Sequence, residues 1–285
     1  MKALLKRNLK IFFRDKVNFP LSLLAIFIVV VLYELFLGTS WGGPIVWNSP
    51  YADILRYSWL MAGMLAIASV TTPMGVFIVI VNDKAKKISK GFYVSPLKRS
   101  HIWNSYMFSA FVASVVAAFI MAIIMTIFIR ALGGSFLTPI EYLQVFGIIL
   151  LTSISGTAMM GFIATFIKSH AVFTTISMIV GTLVGFLTGV YFPSGDGGVA
   201  DTIIKAFPPS HGAILLRQII TEAPMQIIFE EAPAEAVERF MESWWISAYF
   251  GDFEITPFVN VVVLVITALI FYGLSLWNMR KMAKA

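Results

Sequence analysis

Six apolar runs divide the chain, at residues 19–38, 58–81, 106–130, 142–167, 172–192 and 257–278. Each is long enough for a helix to cross a hydrocarbon core about 30 Å thick, which takes about 20 residues. Helices follow because lipid offers no partner to backbone polar groups. Ahead of the first run, "MKALLKRNLKIFFRDKVNFP" interleaves Leu4, Leu5, Leu9, Ile11, Phe12 and Phe13 with bases. At a period of 3.6 this predicts an amphipathic helix over 1–18 that lies in the membrane surface, with Lys6, Arg7, Phe12, Phe13 and Arg14 at the interface, before Pro20 turns the chain inward. The same bases also suit a simple charged anchor. The first run is longer than a signal-peptide core and no small-residue cleavage site follows it, so it is expected to be retained.

Between the fifth and sixth runs lies one long connection, 193–256. The Pro193–Gly198 cluster ends the fifth span, and the apolar residues that follow are split by Pro208 and Pro209. Two helices too short to span are predicted, forming an outer re-entrant hairpin that carries Pro193, Pro208, Pro209, His211 and Arg217. An acidic helical part follows, with Pro233 suited to the first turn of a helix. Trp244, Trp245, Tyr249 and Phe250 there read as an interfacial aromatic belt or as a contact for a substrate or partner. The pattern predicts an all-α polytopic membrane protein, a single transmembrane domain over 1–285.

Composition supports this: 59% of the residues are hydrophobic and 13% charged, and the mean hydropathy is +0.86, far from the soluble balance. The net charge of +6 could suggest a nucleic-acid partner, but its distribution argues for none. Sixteen of the 21 lysines and arginines fall in the N-terminal segment, the 82–105 loop, the 168–171 turn and the tail, with only Asp15 and Asp83 against them. By the positive-inside rule these segments, and both termini, are expected on the cytoplasmic side of a cell membrane. The chain has no cysteine, which excludes disulfides and thiolate metal sites.

Ionisable residues are sparse in the spans. Glu34, Arg130 and Glu141 lie near outer ends, where they can snorkel, so a buried proton relay is not expected. His101, His170 and His211 have no metal-ligand spacing. Gly181, Gly185 and Gly189 form a smooth stripe on span five, and Ser153, Thr157 and Gly161 one on span four; Ser109, Ala113 and Ala117 do the same on span three. Such faces let helices approach closely, within one subunit or between two. Met121, Met125, Met159 and Met160 add pliable apolar surface.

The loop between spans two and three contains "DKAKKISKGFYVSPLKR", residues 83–99. Its aromatics Phe92 and Tyr93 and its charges Lys86, Lys87, Lys90, Lys98 and Arg99 suit docking to a protein, and the charges alone suit anionic lipid headgroups. The segment resembles the loop of the ABC-2 type permeases, E-R-E-x-G-T-L-E-x-L-x-V-S-P-x-x-R. Asp83 takes the first acidic position, Val94, Ser95 and Pro96 the V-S-P, and Arg99 the closing base; Lys87 and Ile88 stand where Gly-Thr is usual, and Lys90 replaces an acid. The order of elements is similar throughout, including "GVYFP" after span five and "PPSHGAILLRQII" in the outer connection. The resemblance implies the permease subunit of an exporter for a hydrophobic or amphiphilic substrate, and makes Asp83, Lys86, Lys87, Phe92, Tyr93, Ser95, Pro96 and Arg99 a coupling site for a separate ATPase, present in two copies. It also implies a second permease subunit, identical or homologous, with Gly181, Gly185 and Gly189 near the subunit boundary or pathway. No G-x-x-x-x-G-K-[ST] segment occurs, so if ATP drives the protein, its site, with Mg, is expected on the partner, and no cofactor or catalytic group is expected in this chain. Rival readings are an ATP-independent secondary transporter, an intramembrane enzyme, and a membrane sensor or immunity subunit.

Overall fold

The computed structural model describes residues 2–16, 31, 33, 35, 43–94, 97–191, 198–251 and 253–281. Span one therefore lies outside the described residues apart from three positions, as do Ser95, Pro96 and Pro193.

The described chain is helical almost throughout. In order, it forms α1 (Lys2–Arg14), α2 (Gly43–Trp47), α3 (Ala52–Ala85), α4 (Ile88–Tyr93), α5 (Arg99–Ala131), α6 (Pro139–Phe166), α7 (His170–Leu187), α8 (Val199–Ala206), α9 (Pro208–Ile220), α10 (Glu222–Ile228), α11 (Ala234–Ser243), two short strands β1 (Tyr249–Phe250) and β2 (Phe253–Glu254), and α12 (Pro257–Lys281). Among the described residues, α3, α5, α6, α7 and α12 are long and apolar enough to cross a membrane.

α3 is the axis. Its 34 residues span about 51 Å at 1.5 Å per residue. They are apolar on every side, and nearly all from Ile54 to Val81 are buried, as expected of a helix with no polar face. α5, α6, α7 and α9 pack around it, and α12 closes against α6 and α9. The outer helices keep one face for lipid: Phe119, Ile123 and Ile127 on α5, Met178 and Leu183 on α7, and Leu269 and Ile270 on α12 are all exposed.

One close approach fixes α6 on α3. Pro73 sits inside α3, where its missing N–H leaves the carbonyl of Ser69 without its helical donor. Gly156 of α6 lies against that carbonyl, and a Cβ there would collide with the oxygen. The two backbones can meet because one residue lacks a side chain. At its start, α6 carries a full capping box: Glu141 N–H donates to Thr138 Oγ1 at 3.3 Å, and Thr138 N–H to Glu141 Oε2 at 2.6 Å. Glu141, expected only to snorkel, therefore has a defined local partner.

Helix ends depart from the apolar runs in both directions. α3 and α5 run on past 81 and begin before 106, so much of the 82–105 loop is helix. Hydropathy marks hydrocarbon thickness, and nothing in 82–85 or 99–105 breaks a helix. α7, in contrast, stops at Leu187, five residues short of the predicted 192. Gly189 has φ +66°, and the N–H groups of Gly189 and Val190 donate to the carbonyls of Phe186 and Gly185 at 3.0 and 2.9 Å, the Schellman pattern of helix termination. In the acidic segment, β1 and β2 pair antiparallel, Tyr249 with Glu254 and Phe250 with Phe253, where only helix was expected. Trp244 and Trp245 do not belong to an interfacial belt: they are 9% and 1% exposed, drawn into the core because their loop folds back onto Trp59 of α3 and the Gly189 turn that follows α7. Phe250 stays exposed.

Candidate functional site

At the basic end of the bundle, α1 buries Leu4, Asn8 and Phe12, one residue per turn, against α5 and α3. Lys6, Lys10, Phe13 and Arg14 are exposed on its other sides. Phe12 and Phe13, grouped by the sequence pattern, are thus buried to different degrees, Phe12 at 1% and Phe13 at 39% exposure, with their rings in edge contact 5.3 Å apart.

Arg7 joins three elements. Its two terminal nitrogens donate to the two Asp83 oxygens, each at 2.7 Å, while Nη1 also reaches Asn8 Oδ1 at 3.0 Å. Tyr106 donates its hydroxyl to Asp83 Oδ2 at 2.5 Å, and the guanidinium lies over the Phe92 ring, 5.4 Å from its centroid. Hydrogen bonding to Asp83 raises the Arg7 pKa above its ordinary value, with burial opposing it. Bidentate pairing of this kind sets orientation as well as charge. It ties α1, the C-terminal end of α3, α4 and the start of α5 into one unit.

The predicted coupling residues separate accordingly. Asp83 is buried and already paired, so it supports the surface without forming it. Phe92 is half-buried beneath Arg7. Lys86, Lys87 and Arg99 are exposed, as are Ile88 and, at 87%, Val94. Tyr93 ends α4. Lys87 has φ +60°, the left-handed conformation that favours glycine, at the sharp turn between α3 and α4. This is the position where the resembling loops carry Gly. A cleft of about 240 Å³ beside the node is lined by Arg7, Ile11, Asp15, Asn82 and Lys86. Asn82 Oδ1 lies 2.7 Å from His170 Nδ1, linking this end to the start of α7.

The acidic end has its own arginine. Arg217 of α9 is fully buried, with Nη2 donating to the Thr188 carbonyl at 3.2 Å and Nη1 to that of Trp245 at 3.4 Å. Its guanidinium stacks 4.4 Å from the Trp59 ring centroid. Among the described residues no carboxylate pairs with it. Trp59 in turn donates to the Trp244 carbonyl at 2.6 Å, and Tyr33 to that of Val190. Nearby, His211 bridges Asn260 Oδ1 at 2.6 Å and the Lys205 carbonyl at 3.0 Å, and burial lowers its pKa. Lys205 pairs with Asp201 at 2.5 Å. Pro208 and Pro209 start α9. Trp59 and Tyr33, buried inside apolar runs, gave no sequence signal; a buried Trp or Tyr seeking a polar partner is the only hint.

The glycine stripe is divided. Gly189 terminates α7 and lies against the Trp245 indole, Gly185 lies against Tyr191, and nothing is within reach of Gly181. Among the described residues no cluster of three metal-ligating side chains occurs.

These features define a polytopic helical membrane protein whose basic face is organised by an amphipathic N-terminal helix and a short helix between two spans. The family described as "ABC-2 family transporter protein" matches residues 44–277, most of the chain, and the protein belongs to that family. No curated protein matches it.

Proposed function

We propose that this chain is the permease subunit of an ATP-driven exporter of hydrophobic or amphiphilic molecules. Six spans cross the cell membrane, the one at 19–38 joining the five described, with both termini in the cytoplasm and α8–α9 dipping into the outer leaflet. Two copies of a separate ATPase dock at the basic end, on α4 and the exposed face of α1, and a second permease subunit, identical or homologous, completes the complex. The observation that carries this reading is the Arg7–Asp83–Tyr106 node. It links the two surface elements to the ends of α3 and α5, so a push on α4 reaches the central helix as a rigid displacement. The scarcity of charge in the described spans supports an amphiphilic cargo over an ion. Gly181, on the lipid-facing side of α7, marks the face where a second subunit fits.

The test is purification of the tagged full-length chain from its native membrane in mild detergent, with co-purifying proteins identified. An ATPase with a phosphate-binding loop is expected. Its recovery should fall severalfold in a Lys86→Glu, Val94→Asp variant, which alters exposed residues and spares Phe92 beneath Arg7. Recovery of functional protein with no ATPase would overturn the reading.

A further inference from the structure

His211 stands where three elements meet, and both of its ring nitrogens face an acceptor. Nδ1 lies 2.6 Å from Asn260 Oδ1 in the first turn of α12, and Nε2 lies 3.0 Å from the Lys205 carbonyl near the end of α8. His211 is 4% exposed and Asn260 is fully buried. The Asn260 amide cannot turn over without loss, because its Nδ2 donates to the Ile255 and Thr256 carbonyls at 3.3 and 3.2 Å. A neutral imidazole has one N–H and an imidazolium two. The full set of bonds therefore needs one proton more than a neutral ring carries.

The Lys205 carbonyl has no helical donor to fall back on. It would accept from the residue four positions on, or three at a tightened helix end. Those positions are Pro209 and Pro208, which have no N–H. Phe207, between α8 and α9, is extended, and of α8 only Asp201, Ile204 and Lys205 are buried. α8 is thus a short, lightly packed helix hinged beside two prolines, and a carbonyl of its final turn depends on His211. With a neutral ring, Asn260 keeps the proton on Nδ1, the shorter contact. Nε2 then turns a lone pair toward the Lys205 carbonyl, which has water as its remaining partner.

We propose that His211 is a proton-operated tether: as imidazolium it holds the end of α8 to the start of α12, and on losing its proton it keeps Asn260 and releases α8. At this end of the bundle the titratable groups around α9, among the described residues, are the Lys205–Asp201 pair of α8 and Arg217, six residues along α9 itself. Beyond them stand Asp53, Arg56 and Tyr57 of α3, Glu141 and Tyr142 of α6, Glu222 of α10, and Tyr249 and Glu254 of the strands; α12 has none before Tyr272. The proton on His211 answers instead to burial, which lowers its pKa, and to the Asn260 side chain and Lys205 carbonyl, which raise it. Burial is the larger influence, so the proton binds below the ordinary value of about 6.5. α9 packs on α3, α6 and α12 whether or not α8 is tethered, and the Lys205 carbonyl is the part that tethering adds. It makes the pKa higher with α8 tethered than released, so the tether forms as pH falls through that range and is lost as pH rises. The tether uses none of the coupling residues and stands apart from the exporter reading.

The chain has three histidines, so ring ¹⁵N resonances of the full-length, histidine-labelled protein in detergent can be assigned by replacing each in turn. They show which ring nitrogen carries a proton. Hydrogen exchange of residues 199–207, corrected for the intrinsic pH dependence of exchange, reports whether α8 is held. His211 should carry its proton on Nδ1 alone at about pH 8 and on both nitrogens at about pH 5. Protection of 199–207 should rise about three- to tenfold on the same midpoint, the size of one hydrogen bond. His211→Asn should leave that protection low and independent of pH. Asn260→Asp, which sets a carboxylate against Nδ1, should raise both midpoints together by about one to three pH units. A neutral ring with its proton on Nε2 overturns the proposal, as does wild-type protection that stays flat across this range. So does a pH response that persists in His211→Asn, or a midpoint that Asn260→Asp leaves in place.

Discussion

The two ends of the bundle each centre on an arginine, but the arginines are held differently. Arg7, 31% exposed in its side chain, meets a carboxylate through two bonds and a phenol completes the set. Arg217, with no exposure, meets two carbonyls and an indole face. A charge pair with one partner partly in water is more adjustable: the Arg7 guanidinium has water as an alternative, although Asp83, at 4% side-chain exposure, does not. A guanidinium sealed among backbone carbonyls has no such alternative, because breaking its contacts leaves buried polar groups unpaired. The basic end therefore keeps some freedom to rearrange, and the acidic end holds the end of α7, α9 and the Trp244–Trp245 loop in place.

The largest effect is expected at the acidic end. Arg217→Ala should lower stability by about 3–5 kcal/mol, through the cavity beside Trp59 and the unpaired carbonyls of Thr188 and Trp245. Thermal unfolding in detergent, followed by tryptophan fluorescence, measures it. A change under about 1 kcal/mol would mean the arginine is not a clamp and would erase the contrast.

An intermediate loss is expected at the basic end. Asp83→Asn keeps the shape and loses the charge-assisted pair, for about 1–2 kcal/mol, near the low end for charged hydrogen bonds because Arg7 is partly solvated. Combining it with Arg7→Gln should cost less than the sum of the two, with a coupling of about 1 kcal/mol in a double-mutant cycle. Strict additivity would show the pair to be energetically idle.

The smallest effect is a gain. Lys87→Gly should stabilise the α3–α4 turn by up to about 1 kcal/mol, because glycine adopts the left-handed conformation that lysine holds there at a cost. A loss of stability would show that the lysine side chain contributes more than its backbone costs.

The sequence made some of this legible. Apolar runs located four of the five described spanning helices to within a few residues at most of their ends, because hydrocarbon thickness imposes length directly. The two-helix form of 199–220 followed from Pro208 and Pro209. The missing Gly in the loop alignment marked Lys87, which has the one backbone conformation in that turn that glycine favours. Other features left no local signal. The end of α7 at Leu187 depends on a left-handed Gly189, which one-dimensional periodicity counted as part of a smooth stripe. The pairing of Trp244 with Trp59 and of Trp245 with Gly189 joins positions far apart in the chain, and an aromatic cluster near a membrane edge reads as a belt until its neighbours are known.

By itself the sequence determined that the chain lives in a membrane, how its basic residues are sorted, and that no phosphate-binding loop is present. These depend on composition and on short-range order, which are properties of the chain in one dimension. Only the tertiary structure decided which charges are spoken for. Asp83 and Arg7 are separated by 76 residues and Arg217 and Thr188 by 29, and a partner at that range is fixed by how helices pack, since the energy of a buried charge is set by the groups within a few ångströms of it and not by its neighbours in sequence.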